Sequence, residues 1–109
     1  MFTELVKTLE KNGKGIHAYR KCADRARELA MSSPDLAASY FLLAAMAEDF
    51  VEFNERMATT TVQSNAVFER FAGNAALLDD AFGDGDPGKM LTVLNRIASE
   101  LAKRGAQFT

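Results

Sequence analysis

Glycine and proline, the residues least compatible with the interior of a helix, gather at a few points along this 109-residue chain. Gly13 and Gly15 form one cluster, Pro34 stands alone, and residues 83–88 contain three glycines and a proline. Between these points the apolar residues recur at spacings of three and four, and no run alternates apolar and polar residues as a strand would. The pattern therefore predicts an all-α protein.

The breakpoints divide the chain into helices whose lengths suit a small bundle. Gly13 and Gly15 should separate or kink the first two helices, since together they cost about 2 kcal/mol relative to alanine. Connections this short favour antiparallel neighbours. We predict a single domain, residues 1–109, that forms a small antiparallel four-helix bundle, with or without an extra short N-terminal helix. The predicted helices are residues 3–10, 16–31, 34–58, a fourth that is capped by Ser64 or Asn65 and ends near Phe82, and 87–104.

Capping residues mark several of these boundaries. Ser33 is expected to cap the third helix, which has a proline at its first position. Gly83 should end the fourth helix, Asp86 should cap the fifth, and Gly105 should end it. Residues 59–62 are all β-branched and form helix weakly, which leaves two alternatives. The segment is either a turn or part of a continuous rod of about 48 residues, roughly 70 Å long, that partner chains would have to cover.

The helix predicted for residues 34–58 has a wide apolar surface. Its apolar side chains fill about half of the circumference at about 100° per residue, which exceeds the stripe needed to pack on one neighbour. We therefore expect it to be the central helix of the bundle or to face a second subunit. Phe41 projects outside the apolar arc, at the azimuth of the Glu48, Glu52 and Glu55 side chains. It is a candidate for a contact surface.

Self-association is expected on the same grounds. A chain of this size buries only about 65% of the surface that it exposes when unfolded, so spare apolar area is hard to cover within one copy. A two-fold homodimer is the commonest solution. We predict a homodimer whose contact includes Tyr40, Phe41 and Phe50 or Phe53. Its axis should lie to one side of the glutamates, because like charges would otherwise meet.

Charge and hydropathy argue against several classes of protein. Thirteen basic and fifteen acidic residues leave a net charge of −2, which gives no overall attraction to nucleic acid or an anionic membrane. Residues 1–31 and 87–109 are net basic and residues 32–86 are net acidic. We interpret this as basic helices lying beside acidic ones. No uncharged stretch exceeds twelve residues, whereas a membrane span needs about 20.

The single cysteine, Cys22, excludes an intrachain disulfide. A reducing compartment such as the cytoplasm is then the simpler expectation. Its place at the edge of an apolar helix face favours a buried structural thiol over a reactive one. Glu4 and Lys7 precede any apolar run, so no signal peptide is expected.

Residues 83–89 match the spacing of a phosphate-binding loop, but the surrounding chemistry does not. Lys89 is followed by Met90 rather than by serine or threonine, and the preceding segment is a predicted helix rather than a strand. Asp84 and Asp86 would also repel phosphate. The loop lacks the further ligands, including a bidentate glutamate, of a calcium-binding EF-hand. Helix capping explains these residues without a nucleotide or a metal.

Other chemistry-bearing residues are interpreted in the same way. The three glutamates of the third helix share one face, but the chain lacks the Glu-x-x-His pair that di-iron bundles use, so we expect a solvated face. His17, the single histidine, is expected to be exposed. No Ser–His–Asp or Cys–His arrangement follows from the spacing. We predict no catalytic, cofactor-binding or metal-binding residue.

No motif assigns the chain to a family, and three hypotheses of function follow. The favoured one is a non-enzymatic helical interaction protein, a small adaptor, regulator or assembly subunit that acts through its helix faces. The alternative is a small-molecule- or metal-binding helical bundle. A nucleic-acid-associated regulator is a weaker alternative. Basic residues cluster within 20–27, but Asp24 and Glu28 are interleaved with them, which weakens this hypothesis. Neither a membrane nor a nucleic acid is an expected partner.

Overall fold

Five α-helices and one 3₁₀ turn make up the part of the chain that the computed structural model describes, residues 1–107. No strand occurs within this range, so the predicted all-α bundle with a short N-terminal helix is confirmed. In chain order the elements are α1 (Thr3–Lys11), α2 (Ile16–Ser32), the 3₁₀ turn (Pro34–Leu36), α3 (Ala37–Arg56), α4 (Thr61–Asp84) and α5 (Pro87–Gln107).

Helices α2 and α3 form an antiparallel hairpin with the most extensive helix–helix contact in the described chain. Arg20 pairs with Glu55 near one end of the hairpin, and Arg27 pairs with Glu48 nearer the other. Both helices carry several small buried side chains, which allow close packing in the core. They are Ala18, Cys22, Ala23 and Ala26 of α2 and Ser39, Ala44 and Ala47 of α3.

Helix α1 lies across the open side of the bundle and packs against α2 and α4. Phe2 is fully buried, with its ring centroid 5.0 Å from that of Tyr40 and 5.3 Å from that of Phe82. At the other end, the Lys14 Nζ lies 3.9 Å from the centroid of the Phe68 ring. These contacts show that α1 and α4 run in opposite directions.

Helix α3 is the central helix, as its wide apolar arc predicts, because it contacts α2, α4 and α5. Phe50 packs against Tyr19, with ring centroids 4.1 Å apart, and Tyr19 meets Phe71 of α4 edge-on at 6.3 Å. Leu43 and Leu78 are fully buried in the same core. The helices of one copy therefore cover most of the α3 surface.

The start of the third helix differs from the prediction. The Ser33 side chain makes no capping hydrogen bond, because the chain first forms the 3₁₀ turn, in which the Leu36 N–H donates to the Ser33 carbonyl at 2.9 Å. Helix α3 then ends at Arg56, two residues before the predicted end.

Residues 57–60 form a connection, which excludes the continuous rod. The predicted caps Ser64 and Asn65 are wrong: Thr60 caps α4 in a capping box with Gln63. The Thr60 hydroxyl accepts from the Gln63 N–H at 3.1 Å, and the Gln63 side chain accepts from the Thr60 N–H at 3.0 Å. The cap therefore lies four residues before the expected position.

The connection between α4 and α5 confirms one predicted cap and moves another. Asp86 caps α5, and its Oδ1 accepts from the Gly88 N–H at 3.0 Å. Gly83 continues α4, and the turn is made instead at Gly85, whose φ of +68° is the left-handed conformation that glycine adopts freely. Helix α5 continues through Gly105 to Gln107, so the predicted end is also wrong.

Candidate interaction surface

Phe41 lies on the outer side of α3, and 53% of its surface is exposed. Its neighbour Tyr40 points the other way, into the core against Phe2. The Arg27 guanidinium carbon lies 5.6 Å from the centroid of the Phe41 ring. This is a cation–π contact of the kind that contributes about 0.5–1 kcal/mol at exposed sites. Arg27 therefore covers one part of the ring and leaves the rest accessible.

Arg27 is held in place by a two-point pair with Glu48. The Arg27 Nε donates to Glu48 Oε1 at 2.5 Å, and a terminal guanidinium nitrogen donates to Oε2 at 2.9 Å. These hydrogen bonds, with the charge attraction, raise the pKa of Arg27 above its ordinary value. Because two hydrogen bonds join the groups, the plane of the guanidinium has a fixed orientation, which a lysine ammonium at this position would not have.

Met31 extends this surface on α2. It lies one helical turn after Arg27 and thus on the same helix face, and 77% of its surface is exposed. We define the Phe41 surface as Arg27, Met31, Phe41 and Glu48. It combines two exposed apolar side chains with one ion pair, a composition typical of a small protein contact.

The other three residues predicted for the contact between copies are buried or half-buried. Tyr40 and Phe50 belong to the core and retain only 4% and 3% exposure. Burial, with the nearby charges of Glu4 and Asp79, raises the pKa of the Tyr40 phenol. Phe53 is half-buried. Among the four predicted residues, Phe41 alone offers a largely accessible side chain.

The glutamate face of α3 borders α2 as well as the solvent. Glu48 and Glu55 pair with arginines of α2, and Glu52 pairs with Arg56 one turn later. The interpretation that basic helices lie beside acidic ones is supported for this hairpin. The individual pairs depend on how α2 and α3 are aligned, which no local pattern predicts, although the arginine spacing in α2 matches the glutamate spacing in α3.

The remaining chemistry-bearing residues have structural roles. The Lys89 ammonium lies 3.0 Å from an Asp80 carboxylate oxygen and 2.5 Å from an Asp84 oxygen, which hold its pKa above the usual range. Within the described residues, no group of three or more His, Cys, Asp or Glu side chains is arranged to hold a metal ion. His17 is exposed, as predicted.

Cys22 is buried, as its position predicts. Its Sγ lies 4.0 Å from the Leu5 carbonyl oxygen, and burial raises the pKa of the thiol from 9.0 to about 12. A thiol with so high a pKa has almost no thiolate at neutral pH and is unreactive.

An open groove of about 350 Å³ lies toward the opposite end of α3. Its walls are residues 14–16 of the α1–α2 loop, Phe50 and Asn54 of α3, and Thr59 and Ser64 at the start of α4. Local sequence patterns do not predict the groove, because residues 14–16 are distant in sequence from the α3 and α4 residues that they meet there. Asn54 also accepts a hydrogen bond from the Thr59 hydroxyl.

A buried polar contact links three helices elsewhere. The Asn74 amide of α4 donates to Glu100 of α5 at 3.2 Å and lies 3.4 Å from the Met46 sulfur of α3. Asn74 is 3% exposed, and the carboxylate satisfies a group that would otherwise be costly to bury.

No helix in the described part of the chain is long and apolar enough to cross a membrane.

Comparison with known proteins identifies no relative of this chain. No family model matches the chain, and no curated protein or solved structure matches it.

Proposed function

We propose that this protein is a non-enzymatic helical interaction protein and that it acts through the Phe41 surface. The observation that carries the proposal is the position of Phe41, an aromatic ring that is 53% exposed beside a fixed Arg–Glu pair. Aromatic and arginine side chains dominate the energetics of protein contacts. The helical core has no need of this ring, since Tyr40 and Phe50 fill the adjacent interior positions.

The partner that this surface fits is a second copy of the chain. In the dimer that we propose, the two-fold axis passes between Arg27 and Glu48, so that the Arg27 of each copy lies toward the Glu48 of the other. The two phenylalanine rings and the Met31 side chains would then bury each other. In this arrangement an arginine of one copy faces a glutamate of the other. The repulsion that would arise if the glutamates of the two copies faced each other is therefore avoided.

Sedimentation equilibrium at micromolar concentration tests this proposal. The wild-type chain should sediment at twice its mass of 11.9 kDa. Phe41→Ala should shift the equilibrium to the monomer and weaken association about tenfold or more, since a central aromatic contributes roughly 1–2 kcal/mol or above. Val62→Ala is the matched control, because Val62 is an exposed apolar residue at the start of α4, away from this surface. A monomeric wild-type chain would contradict the proposal.

A second candidate function is the binding of a small molecule, which the groove near Lys14 favours. A cytoplasmic location is also proposed, on the support of the buried free thiol of Cys22. The metal-binding and nucleic-acid hypotheses stay sequence-based predictions, and no described feature adds to them.

A further inference from the structure

Met31 differs from the other methionines of the chain in its exposure. It lies near the C-terminal end of α2, and 77% of its surface is exposed. Met1 and Met57 are exposed to a smaller degree. Met46 is buried and Met90 is half-buried. A small oxidant in solution therefore reaches the thioether of Met31 more easily than that of any other methionine.

Met31 is also the methionine of the Phe41 surface. It lies one turn after Arg27, whose guanidinium covers part of the Phe41 ring and pairs with Glu48. In the proposed dimer, the Met31 side chain passes from water into the contact between copies. Met57 follows the last residue of α3, at the far end of that helix from Phe41, and lies outside this surface.

Oxidation changes the chemistry of this side chain. The sulfur lone pair attacks the outer oxygen of a hydroperoxide, the O–O bond breaks as the S–O bond forms, and a proton shift releases water or an alcohol. The sulfur loses two electrons and the peroxide gains them. The product is methionine sulfoxide, a polar group with a strong hydrogen-bond acceptor. Burial of this group without a donor is unfavourable.

The Phe41 surface has few donors for a sulfoxide. The Arg27 Nε and one of its terminal nitrogens already donate to Glu48. Neither the Phe41 ring nor the Met31 side chain of a second copy offers a donor. A sulfoxide in this contact would therefore lose its hydrogen bonds with water and gain none in return.

We propose that Met31 is a modification site and that its oxidation by a hydroperoxide dissociates the dimer. The inference rests on the proposed function, because it requires two copies to pair through the Phe41 surface. Oxidation acts on the monomer, in which Met31 is exposed, and withdraws that monomer from the equilibrium.

Treatment with hydrogen peroxide, followed by sedimentation equilibrium, tests the inference. Mass spectrometry of peptides measures the gain of oxygen at each methionine, and the treatment is stopped before the buried Met46 reacts. The wild-type chain should dimerise before treatment and associate at least about tenfold more weakly once Met31 is oxidised. Met31→Leu should dimerise before and after the same treatment. Met57→Leu is the matched control, which removes another exposed methionine and should leave the response to peroxide unchanged.

Two further measurements do not depend on the leucine variants. Glutamine is unbranched like methionine but polar, so Met31→Gln should associate at least about tenfold more weakly than wild type without any oxidant. Oxidation of Met31 in the wild-type chain should also slow as the protein concentration rises above the dimer Kd. Oxidation of Met57 should keep the same rate, because the dimer contact covers Met31 alone.

Two results would overturn the inference alone. One is a wild-type dimer whose association is unchanged after complete oxidation of Met31. The other is an equal loss of association by wild type and Met31→Leu after the same treatment, with the circular dichroism of both chains unchanged. A wild-type chain that is monomeric before treatment would overturn the proposed function together with this inference, so the two failures are distinguishable.

Discussion

The backbone N–H of Phe2 donates a hydrogen bond to the Asp79 carboxylate at 2.6 Å, although 77 positions separate the two residues. The other carboxylate oxygen accepts from the Thr3 N–H at 3.1 Å. Asp79 of α4 therefore caps the start of α1, a role usually filled by a residue adjacent in sequence. The same contact fixes the backbone next to the buried Phe2 ring, so α1 is attached to the bundle by both polar and apolar contacts.

Asp79→Ala should lower the free energy of unfolding by about 1–2 kcal/mol, the cost of losing a helix cap. Urea unfolding followed by circular dichroism measures the change. Asp80→Ala is the matched control: Asp80 is exposed, and its partner Lys89 keeps a second carboxylate, Asp84. We expect a change within about 0.5 kcal/mol for the control. Equal losses from both variants would contradict the capping role.

Acid should weaken the same contact. Burial opposes ionisation of Asp79, but the backbone hydrogen bonds from Phe2 and Thr3 outweigh it, so the pKa of the carboxyl lies below its ordinary value of 3.8. Its contribution to stability is therefore present above pH 3.8 and is lost as the pH falls through the lowered pKa. The difference in unfolding free energy between wild type and Asp79→Ala should shrink below pH 3.8. A difference that does not depend on pH would argue against this origin.

Phe2 and Phe41 should respond differently to truncation. Phe2→Ala removes a fully buried ring that contacts Tyr40 and Phe82, and should cost about 3–5 kcal/mol of unfolding free energy. Phe41→Ala removes an exposed ring and should cost under about 1 kcal/mol in the monomer. Guanidinium unfolding at a concentration that keeps the chain monomeric compares them. Similar costs would show that Phe41 is part of the folded core.

The two candidate caps of neighbouring helices provide a matched pair. Thr60→Ala breaks the capping box with Gln63 and should cost about 1 kcal/mol. Ser33→Ala removes a side chain that makes no capping bond and should change stability by less than about 0.5 kcal/mol. Thermal unfolding ranks the two variants, and the reverse order would contradict the observed helix starts.

The Cys22 thiol should be protected from alkylation. Its pKa of about 12 and its burial leave little accessible thiolate, so iodoacetamide should modify the native chain far more slowly than the urea-unfolded chain. A Cys22→Ala chain that also carries Ala38→Cys is the control, because Ala38 is exposed. Alkylation of native wild type as fast as that control would contradict burial of the thiol. Burial of the Cys22 thiol also makes stability depend on pH. Because the thiol ionises at a higher pH in the folded chain than in the unfolded chain, its contribution to the free energy of unfolding is lost as the pH rises from 9.0 toward about 12.

Local patterns gave the helices, and the errors lie where local signals competed. Thr60 and Gln63 form the T-x-x-Q spacing of a capping box, so the true start of α4 was present in the sequence. The run of β-branched residues pointed instead to a longer turn. At Gly83 the same conflict arose, because Gly83 and Gly85 both suit a helix end and the left-handed turn forms at Gly85 alone.

Contacts between distant residues were out of reach of these patterns. The helical azimuth of Phe41 was enough to predict its exposure, but nothing local shows that Arg27 lies over its ring. Tyr40 and Phe50 were expected at a contact between copies, yet they fill the interior because α1 and α2 supply Phe2 and Tyr19 to cover them. The groove near Lys14 likewise depends on where the α1–α2 loop meets α3 and the start of α4.

The central claim, that two copies pair through the Phe41 surface, is tested most directly by exchanging its charges. Arg27→Glu gives a surface with two negative charges, and Glu48→Arg gives one with two positive charges. Each variant alone should sediment as a monomer, because like charges meet across the axis. An equimolar mixture should restore a species of twice 11.9 kDa, since each surface then faces its opposite. A mixture that stays monomeric while wild type dimerises would contradict the account.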